Sequence, residues 1–182
     1  MNKVSMMLGV GAAVALAACG KVQEVAAEKA AEKMIESQIA KDGTQAKVDL
    51  SQGGIKVSTT DASGKVSQME MGSAKVSEAD VDLPFYPGTK PVEGQASRFT
   101  TPNGSTVSVV LHTDDAADKV AGFYRDQLKA KSAGKQFTEM SGGDDNFSFS
   151  LSDEKAKSAT QVSITKAEKG TDVQIMSNRG TP

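Results

Sequence analysis

The feature that most constrains this chain is a period-two alternation near its C-terminus. Phe147, Phe149 and Leu151 alternate with Ser148, Ser150 and Ser152; Val162 and Ile164 alternate with Ser163 and Thr165; Val173 and Ile175 flank Gln174. Side chains on a strand point to opposite faces in turn, so each run has one apolar and one hydroxyl-bearing face. Together with 136–140 around Phe137, these runs predict four short strands. Gly142-Gly143-Asp144-Asp145-Asn146 and Glu168-Lys169-Gly170-Thr171 supply turns. The apolar faces need a cover, and residues 114–131 provide it. Ala117, Val120, Ala121, Tyr124 and Leu128, with Phe123 alongside, recur at helical spacing. Thr113 reads as the N-cap, Asp114, Asp115 and Asp118 suit the positive end of the dipole, and Lys129 and Lys131 the negative end. Just upstream, 98–101 and 106–113 flank Pro102-Asn103-Gly104-Ser105, a hairpin signature with Asn-Gly at positive φ. The expected domain, 83–178, is therefore ββαββββ, with one helix packed on an antiparallel sheet and a frayed tail at 179–182.

Ahead of this domain the pattern changes twice. Residues 46–72 alternate around Val48 and Leu50, then Ile55, Val57 and Thr59, then Met69 and Met71, with Gln52-Gly53-Gly54 and Asp61-Ala62-Ser63-Gly64 as turns. A small β-meander with one half-buried face is expected, followed by a polar linker at 73–82. Residues 21–40 read as a helix rich in Ala, Glu, Lys and Gln. Glu24, Glu28, Glu32 and Glu36 repeat at four-residue steps beside a thin stripe of Ala27, Ala31, Ile35 and Ile39. That composition suits a surface helix or a stand-off within a tether at 19–45; a partner-docking or self-pairing helix is the alternative. Overall the class is α+β.

The first twenty residues carry a different message. Met1-Asn2-Lys3 is followed by an uncharged run from Val4 to Ala18 that ends in Leu16-Ala17-Ala18-Cys19-Gly20. The run is too short to span an apolar layer of about 30 Å as a lasting helix, but has the length of a signal h-region. Leu16, Ala17 and Ala18 before Cys19 resemble the lipobox of bacterial lipoproteins position for position. The resemblance implies a signal peptide at 1–18, cleavage before Cys19, a diacylglycerol thioether on its sulfur and an acylated amino terminus, with palmitate a typical chain. Gly20 in place of Asp implies, by the same resemblance, sorting to the outer membrane. Cys19 is the single cysteine, so no intrachain disulfide exists.

The segment Leu83-Pro84-Phe85-Tyr86-Pro87-Gly88-Thr89, the hairpin, and Thr113-Asp114-Asp115 leading into Val120-Ala121-Gly122-Phe123-Tyr124 also resemble a known group. They are similar to uncharacterised bacterial envelope lipoproteins with a YPG turn and an FY-containing helix. The motifs are structural, and the resemblance carries no catalytic residue. Phe85 and Tyr86 read as packing wedges at the start of the domain, with an aromatic binding platform as the alternative.

Candidate chemistry is sparse. His112 is the only histidine and sits at a strand end, as a satisfied imidazole. One His with carboxylates is poor ligation for zinc, and Asp144-Asp145-Asn146 lacks the spacing of a calcium loop, so no metal and no cofactor are expected. The net charge of -2, with lysines scattered singly, gives no footprint for nucleic acid. The expected function is a non-enzymatic binding or accessory module of the cell envelope, held on the membrane through Cys19, with another envelope protein or a cell-wall component as partner. The alternative is a periplasmic small-ligand or lipid carrier with a pocket lined by Phe85, Tyr124, Phe137 and Phe149.

Overall fold

The computed structural model describes residues 15–40, 44–51, 53–143 and 145–181, with side chains in its first helix from residue 25. In chain order the elements are α1 (Ala15–Ile39), β1 (Gln45–Asp49), β2 (Ile55–Thr60), β3 (Val66–Met71), α2 (Glu78–Val81), β4 (Lys90–Pro91), β5 (Ser97–Thr101), β6 (Gly104–Thr113), α3 (Ala117–Ala130), β7 (Gln136–Ser141), β8 (Asn146–Asp153), β9 (Ser158–Lys166) and β10 (Thr171–Gly180). All pairings are antiparallel, in the order β1-β2-β3-β5-β6-β10-β9-β8-β7, with β4 beside β6. The α+β class, the meander and the ββαββββ unit are all present.

The core forms where the sequence places its alternation. Val107, Val109 and Leu111 of β6, Val173 and Ile175 of β10, Val162 and Ile164 of β9, and Phe149 and Leu151 of β8 face one side of the sheet. Val120, Ala121, Tyr124 and Leu128 of α3 lie against them, and Val81, Leu83 and Tyr86 close the flank. Burying one such large side chain contributes roughly 1.5–3 kcal/mol, so this interface dominates the stability of the fold.

Local boundaries differ from expectation where tertiary contacts intervene. Thr113 is the last residue of β6 rather than a helix cap; α3 starts at Ala117 with Ala116 as a cap that offers no side-chain bond. Thr113 faces the core opposite Thr171, and the Thr171 hydroxyl donates to the Asp115 carbonyl at 2.7 Å, which holds 114–116 as a corner. The hairpin turns at Pro102-Asn103, one residue earlier than the Asn-Gly reading, because Thr101 pairs with Gly104. Gly104 then opens β6 at φ 149, where a Cβ would collide with the Arg179 carbonyl oxygen. The C-terminal residues, expected to fray, stay in the ladder through Gly180, with Ser177 buried and the Thr106 hydroxyl donating to Asn178 Oδ1 at 2.7 Å. Residues 73–82 are not a free linker either: Ala74 and Val81 are buried, and α2 interrupts the segment.

The meander continues the sheet. Met69 pairs with Phe99 and Glu70 with Arg98, so β3 joins β5 in register. This register places Arg98 on the same face as Val107, and Phe99 on the opposite face with Thr106. The sheet therefore changes polarity across its width. Its core face continues into charged Lys47, Asp49, Lys56, Glu70 and Arg98, while Val48, Val57 and Met69 of the meander and Phe99 of β5 lie on the other side. Val48 is buried, but Ile55, Met71 and Phe99 remain 42%, 46% and 46% exposed.

Helix α1 runs beside the outer strand β1. Ala31 and Ile39 are half-buried there, whereas Met34 is exposed. The Val48 amide donates to Glu36 Oε1 at 2.8 Å and the Leu50 amide to Glu32 Oε1 at 2.9 Å. Four helical residues rise about 6 Å and two strand residues about 6.8 Å, so glutamates four apart match amides two apart on an antiparallel strand. An open strand edge invites pairing with another chain, and these carboxylates occupy two of its donors. Each amide-to-carboxylate bond of this kind is worth about 1.5–3 kcal/mol, less where water reaches it. Replacing both Glu32 and Glu36 by Ala should accelerate hydrogen exchange at Val48 and Leu50 about tenfold, by NMR, with core amides unchanged. Glu28→Ala should leave both rates as they are.

Candidate functional site

The expected anchor lies at the N-terminal end of α1. Leu16, Ala17, Ala18 and Cys19 are in its helical backbone, with their side chains outside the described residues, as are residues 1–14 altogether. Among the described residues no helix is long and apolar enough to cross a membrane.

The two motifs that carry the envelope-lipoprotein resemblance meet in space. The Tyr86 amide donates to the Tyr124 hydroxyl at 3.0 Å, and the Phe123 ring stands edge-on to both Tyr86, at 5.4 Å, and Tyr124, at 5.1 Å. Burial pushes the Tyr124 hydroxyl up to about 12. The Tyr86 hydroxyl donates to Asp115 Oδ2 at 2.5 Å, and Lys119 Nζ reaches the same oxygen at 3.0 Å. The bond to Asp115, then burial, raises the Tyr86 pKa; the bonds from Tyr86 and Lys119 lower that of Asp115. Asp115 therefore orients the turn against the helix instead of capping the helix. Pro87-Gly88 closes the turn, with Gly88 at φ 81 and the Thr89 amide donating to the Tyr86 carbonyl at 3.1 Å. Phe85 and Tyr86 act as the expected wedges.

The pocket expected between α3 and the sheet is filled by its own lining. Tyr124 and Phe149 are completely buried, Phe137 stacks on Phe149 at 6.3 Å, and Phe85 packs against the periphery of the core. These aromatics are core, because α3 sits directly on β8 and β9 and leaves no layer between.

A cavity lies elsewhere. Beyond α3, the core face of β1, β2, β3 and β5 forms a groove of about 250 Å³ lined by Lys47, Asp49, Lys56, Gln68, Glu70 and Arg98, among others. Lys56 pairs with Glu70 at 3.2 Å, and Arg98 pairs with Asp80 at 2.8 Å while donating to the Lys75 carbonyl at 3.2 Å. Residues 73–82 thus fix the position of Arg98, one of the side chains that line the groove. The Ser77 hydroxyl and amide, followed by Arg98, hold Asp80 down from 3.8 to about 2. Nothing in the local sequence announces this groove, since its residues come from four strands.

The remaining candidates are peripheral. His112 Nδ1 lies 2.7 Å from Asp172 Oδ1, with Asp114 4.0 Å from Nε2. Asp145 pairs with Lys166 at 2.8 Å, whereas Asp144 lies outside the described residues. Among the described residues no group of three or more His, Cys, Asp or Glu is placed to hold a metal ion.

A model of the START domain-like family matches residues 94–177, which hold the hairpin, α3 and nearly all of the strands that follow. No curated protein and no solved structure matches the chain.

Two measurements probe these contacts. Tyr124→Phe leaves the Tyr86 amide without its acceptor and should cost about 1–3 kcal/mol in urea unfolding. Asp80 has a lowered pKa in the folded state, so its contribution to stability is full above about pH 4 and lost as the pH falls toward 2. The acid limb of the stability curve should therefore be shallower in Asp80→Asn over that interval.

Proposed function

We propose that this chain is a lipoprotein of a bacterial cell envelope, held by acyl chains on Cys19 at the outer membrane, and that its folded part is a non-enzymatic binding module. The START domain-like match is compatible with a ligand- or lipid-binding module. One observation carries the reading: the sheet outruns its helix. Its α3-covered half is filled with side chains, while β1, β2, β3 and β5 offer an open groove on one face and exposed Ile55, Met71 and Phe99 on the other. Binding on this reading uses surfaces, with another envelope protein or a cell-wall component as the partner. The lipobox-like Leu16-Ala17-Ala18-Cys19 supports the anchor, since two or more acyl chains hold a protein stably on a bilayer.

The groove supports a second reading, a carrier of a small ligand. Its lysines, Arg98 and carboxylates suit a small polar molecule rather than an acyl chain, and 250 Å³ lies just below the usual range of ligand sites.

Cells grown with labelled palmitate should yield labelled protein that sediments with membranes, while Cys19→Ala should be unlabelled and uncleaved. An unlabelled wild-type protein removes the anchor. Native mass spectrometry of the full chain tests the carrier: a retained small molecule lost in Lys56→Ala supports it, and a bare mass removes it.

A further inference from the structure

Charge is divided unequally between the two faces of the sheet. The face opposite the core contains Thr106, Ser108, Gln161, Ser163, Gln174 and equivalent neutral residues on every strand. Along the nine-strand path, Asp172 is the one residue of this face with a full charge, and His112 holds it. Lys90 of β4 borders the same corner. A quarter of the chain is charged, and exposed protein surface ordinarily carries at least that share. A merely solvated sheet face would show Lys and Glu; this one keeps them on the other side.

The surface is also shaped. A depression of about 480 Å³ opens between Ile55, Met71, Ser108 and Gln174, and another of about 350 Å³ lies over Ser148 and Ser163. Neighbouring strands stand about 4.8 Å apart and same-face side chains about 6.8 Å apart, so hydroxyls and amides form a lattice. Hydroxyls and carboxamides both donate and accept. Anionic lipid surfaces and nucleic acids call for clustered Lys and Arg, which this face lacks.

We propose that this face docks an uncharged polysaccharide strand bearing hydroxyl and N-acetyl groups. The sugar's polar groups meet Gln161, Gln174 and the surrounding hydroxyls, and its C–H faces lie on the strip of Ile55, Met71 and Phe99. Neutral hydrogen bonds are individually weak, so retention depends on many contacts along a polymer. The proposal rests on the binding-module reading and names the partner class and the surface.

The test is co-sedimentation of the purified full chain with chitin and with cellulose. Retention on chitin that persists in 1 M NaCl is expected, with a monosaccharide unable to compete. Gln161→Glu with Gln174→Glu replaces neutral donor–acceptors by acceptor-only charges of the same size at exposed positions, and should lower retention at least fivefold. Gln127→Glu, on α3 at the other side of the sheet, should not change it, and matching thermal melts of all variants establish that they fold. Failure to sediment with either polymer, or equal retention of the double variant, overturns the proposal. So does binding to phosphatidylcholine vesicles, or self-association abolished by the same variants, in place of polymer binding. Sedimentation without palmitate label condemns the anchor alone; label without sedimentation condemns this surface alone.

Discussion

The pairing of β3 with β5 decides most of what this molecule presents to its surroundings. Met69 opposite Phe99 and Glu70 opposite Arg98 fuse the meander and the helix-backed unit into one sheet. A slip of one residue would turn every side chain of the meander over, because strands repeat every two residues. The observed register sends Lys56, Glu70 and Arg98 to the core side, where α3 does not reach, and Ile55, Met71 and Phe99 to the far side. Both open surfaces follow from that one alignment.

The half backed by α3 was the more legible in the sequence. Phe147, Phe149 and Leu151 alternate with serines, Val120, Tyr124 and Leu128 share a helical face, and both patterns are local. Their burial follows from periodicity alone, and the structure places them in one core. The join between the halves was not legible, because it depends on a pairing between residues about thirty positions apart that turn chemistry does not encode. The same non-local contacts moved Thr113 from helix cap to strand end and kept Arg179 and Gly180 in the ladder.

The candidate surfaces were harder to see. The four-residue glutamate repeat was visible, but its meaning depends on the amides of β1, so it read as ordinary solvated charge. The aromatics left a pocket lining open as the alternative to a filled core, because their clustering is evident in sequence whereas the depth at which α3 rests on β8 is not. Asp115 likewise fitted the dipole of a nearby helix, and the hydroxyl it accepts comes from a turn far upstream. The charge-free face was present all along in the intervening serines, threonines and glutamines. It becomes a surface only once ten strands lie side by side.

The contact of Glu32 and Glu36 with β1 also has a mechanical consequence. A pull on the chain from its N-terminal side would run down the axis of α1, parallel to the strand it lies against. Both carboxylate bonds would then bear the load together, in shear, and neither could be peeled away before the other. A helix attached in this way passes tension into the margin of the sheet, so α1 and β1 would move together as one stiff unit.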